Sequence, residues 1–473
     1  MSFMLCSLNC VYFSRFRLKN DGDGGNRRVS QIFDIIKDYK PKFLSVPQND
    51  YADEPLGLPE IKFGNLKQDD LEFKNIITGG EYFCWSDKFR NNIVNFRSFA
   101  HRWAGLVNVN LPVDIAFVDE PLFFAPLIDK LNELNIPVIG IEHNIETLVR
   151  GQVEEKYQPE LFKKESEYFK KCALVVTISH EDTVLLNNLG VTTLMLPYYP
   201  IDEQKELFLK IREARPARSD KDGYILLGTA HNIPTLEGMF EITQKWAASE
   251  DLKDKNLYVV GYGTEKIGEL LGSGAGENIK IYGGVEEETL HMLLKQVKAS
   301  IVFQNNGTGA LTKIAELLIA SVPVFANHHA ARSYHNIEGI TEYHDFSDLM
   351  NKLFAAEKKG AALNIPIPQP PQSDMPLKVI GNIIDEKLDK KAINDYRLTV
   401  KKQADIIDEL KERLSARNVR MAEMENELNA MNYKALELER QLVAVPTGHT
   451  YRLGKFLLAP ARIIRDLAKN IFK

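Results

Sequence analysis

Cysteine is scarce in this chain, with four in 473 residues. So few exclude a disulfide-stapled secreted scaffold, and Cys6 and Cys10 stand too close together, without matching partners, for a zinc-ligand set. Long apolar runs are missing too: none reaches the about 18–20 residues that a membrane-spanning helix needs. The opening MSFMLCSLNCVYF has neither a basic leader nor a cleavage site, so it reads as a buried strand and not as a signal peptide. Charge of one sign is short as well. Fifty-nine Lys and Arg against 65 Asp and Glu leave a net −6, which argues against a nucleic-acid protein built on bulk positive charge. A soluble protein of the reducing cytosol is the simplest reading.

What is present is ordinary globular material, 44% hydrophobic and 26% charged, in a length that favours two or three domains. Up to about residue 205, short apolar runs alternate with helical patterns. Strands are expected at Phe3–Leu8, Phe43–Val46, Ile115–Val118, Val138–Ile141, Leu174–Thr177 and Thr193–Leu196. Helices are expected at Val29–Tyr39, Asn91–Arg102, Leu122–Leu134, Pro159–Cys172 and Glu181–Leu189. The stretch Tyr51–Glu81 is mixed. After a charged separator at Glu206–Asp222, a second series places strands at Tyr224–Leu227, Leu257–Val260, Ile279–Ile281, Ile301–Phe303 and Val322–Phe325. Its helices are Leu236–Ala247, Glu287–Gln296 and Leu311–Ala320. Strand–helix alternation of this kind gives an α/β fold of two doubly wound parallel sheets, here in domains 1–205 and 206–364.

The densest chemistry lies in IVFQNNGTGALTKIAELLIASVPVFA, residues 301–326. A strand, a loop holding Gly307 and Gly309, a helix and a second strand make a βαβ unit. Backbone N–H groups and the helix start of such a turn can face an anion such as a diphosphate. Lys313 and Glu316, three apart, share one helix face and offer a cation and a carboxylate; a plain surface ion pair is the other reading. In the first half, Gly24 and Gly25 open a helix where close backbone approach to a ligand is possible, or else form a flexible turn. His143 and Asn144 follow the strand Val138–Ile141, as ligand contacts or as capping groups. Ser179 reads as an N-cap.

Gly309, Lys313, Glu316 and the closing Pro323-Val324 together resemble the donor-nucleotide motif of retaining GT-B glycosyltransferases, the family 4-like group that includes bacterial surface-polysaccharide enzymes. The resemblance spans roughly residues 1–350. It implies a nucleotide-diphosphate sugar as donor substrate, with no cofactor and no bound metal. Lys313 would lie near the diphosphate, Glu316 would hold the ribose, and His143 would lie near the transferred sugar. Gly24 and Gly25 would line the cleft. Gly228, Thr229 and Asn232, in the loop after the strand Tyr224–Leu227, would approach the diphosphate, and Gly283 would frame the base. Two departures stand out. Thr308 occupies the position eight before Glu316 where many members carry another glutamate, and Pro197–Asp202 lacks the usual Asn-Gly. Asp21-Gly-Asp23 has the metal-binding form of the other large glycosyltransferase class, GT-A, but sits in the half opposite the donor loop.

Beyond a Pro-rich spacer and short helix in 365–394, Val400, Ile407, Leu414, Met421, Leu428, Ala435 and Leu442 fall seven apart. That run, 395–443, reads as a coiled coil that makes a homo-oligomer, with a single helix packed on the body as the alternative. The tail 444–473 carries an apolar stripe, Ile463, Ile464, Leu467, Ile471 and Phe472, beside Arg462, Arg465, Lys469 and Lys473. Such a helix suits either an anionic membrane surface or another subunit. The whole reads as a glycosyltransferase acting on a glycan or lipid-linked acceptor, cytoplasmic or peripheral at the inner membrane face. A catalytically silent scaffold of the same fold is the alternative.

Overall fold

The computed structural model describes residues 9–18, 24–46, 70–216, 222–231, 233–274, 276–359, 365–371, 378–382, 429–431, 433–434 and 437. The expected strand Phe3–Leu8, the Asp21-Gly-Asp23 pair, Asn232, most of the heptad run and the basic tail lie outside them. The chain divides into two units, Met1–Lys387 and Leu388–Lys473. In the second, the described residues between 429 and 437 are helical.

Two six-stranded parallel sheets build the first unit. The first sheet holds β1 (Cys10–Ser14), β2 (Lys42–Ser45), β3 (Ile115–Asp119), β4 (Val138–Ile141), β5 (Leu174–Thr177) and β6 (Thr193–Met195), in the order β2-β1-β3-β4-β5-β6. Every residue of β1, β3, β4 and β5 is buried, which is what a sheet covered by helices on both faces demands. The second sheet holds β7 (Tyr224–Leu227), β8 (Leu257–Val260), β9 (Ile279–Gly283), β10 (Ala299–Val302), β11 (Val324–Asn327) and β12 (Ile340–Tyr343), in the order β12-β11-β10-β7-β8-β9. Its strands feed two cores alternately. In β8, Leu257 and Val259 pack with Trp246, Ile301 and Phe325 on one face, while Tyr258 and Val260 pack with Ile314, Leu317 and Leu318 on the other.

The helices are α1 (Gly24–Ile36), α2 (Leu71–Ile77), α3 (Arg90–Leu106), α4 (Ala125–Glu133), α5 (Gln158–Lys170), α6 (His180–Asn188), α7 (Asp202–Ala214), α8 (Ile233–Ala248), α9 (Glu265–Leu271), α10 (Glu287–Gln296), α11 (Thr312–Ile319) and α12 (Phe346–Lys359). Several differ from the sequence pattern. The first described strand is Cys10–Ser14, the VYF end of the opening apolar run. Helix α1 begins at Gly24, five residues before the expected Val29, because its two glycines stand inside the helix. The first half of the expected charged separator belongs to α7, which buries Gln204, Phe208 and Ile211 and packs on α10 and α11. Strand β12 and helix α12, which periodicity did not flag, complete the second sheet.

The order of each sheet reverses once, between β1 and β3 and between β7 and β10. Ligands of open parallel sheets sit outside the carboxyl ends of the strands at such switch points. The chemistry-bearing residues lie at both.

Candidate functional site

At the second switch point, β10 runs into the loop Gly307–Leu311, where Gly307 and Gly309 take φ of +107° and +72°, values that favour glycine. Helix α11 then carries Lys313 and Glu316 on one face. Lys313 Nζ donates to the carbonyl of Leu227, at the end of β7, at 2.6 Å. Burial pushes its ammonium down to about 8, against the pull of the Glu316 carboxylate. Glu316 is 4% exposed. It accepts from the Tyr198 hydroxyl at 2.8 Å and forms an ion pair with Arg27, which reaches it from α1. Burial raises this carboxyl, and Arg27 and Tyr198 hold it back.

The first switch point is a polar cluster. Tyr12 Oη donates to Asp119 Oδ1 at 2.8 Å, Ser14 Oγ donates to Asp119 Oδ2, and His143 Nε2 lies 3.0 Å from Asp119 Oδ1. The imidazole packs on Phe16, with ring centroids 4.8 Å apart. Beside Asp119, Glu120 stands in the left-handed region at φ +47°, and neither carboxylate oxygen has a hydrogen bond. Its nearest cation is Arg15, 3.7 Å away, which donates to Glu146 at 2.6 Å. Burial, then the neighbouring Glu146, push the Glu120 carboxyl well above its ordinary range. Glu142 is raised by burial and by Asp182.

The glycine loop joins the two clusters. A Cβ on Gly309 would overlap the carbonyl oxygen of His143 and lie 2.7 Å from Asn144 Oδ1. The Gly309 N–H donates to Asp182 Oδ2 at 2.6 Å, and Ile145 N–H donates to Thr308 Oγ1 at 2.6 Å. From the loop 328–335, Arg332 donates to the carbonyls of Gly309 at 2.6 Å and Thr308 at 2.5 Å, so the loop is held from both sides. Gly24 approaches Thr312 so closely that a Cβ there would lie 2.9 Å from its hydroxyl, and a Cβ on Gly25 would enter the ring of Phe16.

His143, Lys313, Glu316, Gly24, Gly25, Thr308 and Gly309 thus lie along one seam between the sheets. Gly228 joins them through Lys313: a Cβ on it would lie 3.3 Å from Nζ. Thr229 is exposed, and Gly283 ends β9. In this arrangement, two N–H groups expected to face an anion are otherwise engaged, Gly309 with Asp182 and Gly228 with the Val260 carbonyl at 3.1 Å. Ser179 is the N-cap of α6, its hydroxyl accepting from Asp182 N–H at 3.0 Å. Asn144 is no cap: it donates to Glu146 at 3.3 Å. Sequence reasoning missed Arg27, Asp119, Glu120, Asp182, Tyr198 and Arg332. An acidic pair closing the apolar run IAFVDE was the available sign for Asp119 and Glu120; Arg27 and Tyr198 carry no local sign.

No protein-family model matches the chain, and no curated protein matches it in sequence. Solved structures do match in shape. Sucrose-phosphate synthase from Thermosynechococcus elongatus superposes with a TM-score of 0.53 at 13% identity, over 76% of this chain and 92% of that one. α,α-Trehalose 6-phosphate synthase from Burkholderia multivorans gives 0.52 at 12% identity, over 84% and 98%. The chain has the GT-B fold. A third GT-B structure, the trehalose-6-phosphate protein of E. coli with UDP-2-fluoro glucose bound, gives 0.52 at 12% identity, over 76% and 92%. At these identities the likeness is one of fold. The GT-B seam between two such sheets is where the residues above converge.

Proposed function

We propose that the protein is a glycosyltransferase that moves a sugar from a nucleotide-diphosphate donor to a glycan or lipid-linked acceptor, with retention, in cell-surface polysaccharide synthesis. One observation carries the reading. The glycine loop bearing Lys313 and Glu316 abuts the backbone of His143, whose imidazole Asp119 holds, so donor-type and sugar-type groups share one cleft. The binding of UDP-2-fluoro glucose by the E. coli neighbour of the same fold supports a nucleotide-sugar donor.

In this mechanism the Lys313 ammonium turns from the Leu227 carbonyl to the departing diphosphate and offsets its growing charge. Ribose hydroxyls take the place of Arg27 on Glu316. Asp119 fixes the ring of His143, which contacts the donor sugar. No protein nucleophile is needed for retention by this route; as the anomeric bond to the diphosphate breaks, the acceptor oxygen bonds on that same face and its proton passes to the departing phosphate oxygen. The heptad run would set the oligomer and the basic tail would bring the cleft to an anionic membrane. Truncation before Arg452 should then release the protein from anionic liposomes, and unchanged binding would refute that part.

The test is a thermal-shift panel of UDP-, GDP-, ADP- and CMP-sugars against wild type and Lys313→Ala. A donor at 100 times its dissociation constant adds roughly 2.7 kcal/mol of stability. Stabilisation that disappears in the variant supports the reading and identifies the base. The second reading, a silent scaffold, draws on the use of the Thr308 hydroxyl and the Gly309 N–H within the protein itself. It gains if no donor stabilises the chain with or without an acceptor glycan.

A further inference from the structure

The loop that grips the glycine turn has a second face. It runs from the end of β11 to β12, and its inner side holds the turn through Arg332 and through His329 Nε2, 3.2 Å from the Gly307 carbonyl. At its outer side, His328 and His335 converge on Glu342 of β12. His328 Nδ1 lies 3.2 Å from Glu342 Oε2, and His335 Nδ1 lies 2.9 Å from Oε1. The two imidazole centroids are 5.0 Å apart, and one donor atom from each of the three residues falls within 4.8 Å of the others. Among the described residues, the carboxylate pairs with these two histidines and with no lysine or arginine.

We propose that His328, His335 and Glu342 form a zinc site that clamps the two ends of this loop. Two imidazole nitrogens and one carboxylate oxygen are a set that suits zinc over magnesium or calcium, with the fourth tetrahedral position left to water. Metal–ligand bonds of about 2.0–2.2 Å put neighbouring ligand atoms about 3.3 Å apart, close to the 3.2 Å between His328 Nδ1 and Glu342 Oε2; the His335 ring, now on Oε1, shifts to share the metal. Binding puts one cation between the rings and the carboxylate, each neutral ring coordinating through Nδ1 and keeping its proton on Nε2. A further feature favours metal over a simple hydrogen-bonded trio. His335 Nε2 faces Glu181 Oε1 at 3.8 Å, beyond direct hydrogen-bond distance but placed where a small ring shift would give a metal-bound histidine an outer carboxylate. Glu181 begins α6 on the other sheet and accepts from Ser333 N–H at 3.1 Å and from its hydroxyl at 2.5 Å. A cation that fixes the His335 ring therefore stiffens the loop against both sheets, and through Arg332 it stiffens the glycine turn.

The site owes nothing to the donor assignment, and its test needs no sugar. Untagged, metal-stripped full-length protein is titrated with zinc chloride by calorimetry, with melting followed in parallel. One equivalent per chain and a raised melting temperature are expected. His328→Ala, His335→Ala and Glu342→Gln should each weaken binding at least tenfold while the metal-free melting temperature stays close to wild type. Cobalt should give the visible bands of a four-coordinate nitrogen–oxygen site without a thiolate charge-transfer band. No zinc binding at sub-millimolar concentration would overturn the proposal. So would undiminished binding in the three variants, or a thiolate band, which would place the metal on cysteine.

Discussion

Arg27 of α1 and Glu316 of α11 form an ion pair that joins the two sheets, with the Arg27 side chain 18% exposed and that of Glu316 6% exposed. Removing only one end leaves a charge with little water around it.

Arg27→Ala is therefore expected to cost about 2–3 kcal/mol, chiefly through the abandoned Glu316 carboxylate. Adding Glu316→Gln should restore most of that loss, since a neutral amide keeps the Tyr198 hydrogen bond without the stranded charge. Urea denaturation of the two single variants and the double variant measures the coupling. Additive losses would mean that the two residues do not act on each other.

Gly309 is the tightest point of the seam. An alanine there must adopt φ +72° and displace the His143 carbonyl, so Gly309→Ala should destabilise by about 2–4 kcal/mol. The variant should also lose nucleotide-dependent stabilisation, because Lys313 and Glu316 follow directly on this turn. An unchanged melting temperature would show that the sheets do not meet here.

The fold was legible because its signal is local. Runs such as LYVV at 257–260 are buried on both faces, and three of the strands in the second series match the expected starts at Tyr224, Leu257 and Ile279. The Lys313–Glu316 face was legible too, since helical spacing alone puts them together. The partners that complete the site were not. Arg27 lies 289 positions from Glu316, and Tyr198 lies 118 away, so only the docking of two sheets brings them in. Likewise, no rule of spacing could have said that Asp182, at the start of α6, takes the N–H of Gly309.

Lys313 should give donor binding a distinct pH dependence. Its ammonium is present below about 8 and is lost as pH rises through that value. Affinity for the nucleotide donor should be flat up to that point and then fall by no more than tenfold per unit. Lys313→Met should bind weakly with no such break. The stability trend runs the other way. The folded value is lowered from 10.5, so between about 8 and 10.5 the unfolded chain holds a proton that the folded chain lacks, and stability rises with pH. That rise should vanish in Lys313→Met.

Glu120 combines a left-handed backbone with a buried, unbonded carboxyl whose pKa is raised. Strain of this kind is kept where a site needs it. The folded protein holds the Glu120 proton from 4.5 upward, through its raised value, so this group adds stability at low pH that fades as pH climbs through that window. Glu120→Gln mimics the neutral acid and should fold normally with a shallower decline. If the carboxyl receives an acceptor hydroxyl, the variant should raise the acceptor KM and leave donor binding intact. A changed donor affinity would place Glu120 on the other side of the reaction.

The spacer after residue 364 is tied to the body at its first residue. Ile365 is 1% exposed in the core of the second sheet, and its carbonyl accepts from Arg212 Nη2 at 2.6 Å. Ile380, in a short helical stretch at 378–382, is 3% exposed. A chain ending at Lys387 keeps both buried side chains, Ile365 and Ile380, and should melt above one that lacks them. A chain ending at residue 364 loses the buried Ile365 and Ile380 side chains, each worth about 1.5–3 kcal/mol, and an acceptor for the Arg212 guanidinium. Its melting temperature should fall clearly below that of the longer truncation. Equal melting of the two would mean that Ile365 and Ile380 are both dispensable, and would return the end of the folded body to the position where the composition first shifts towards proline.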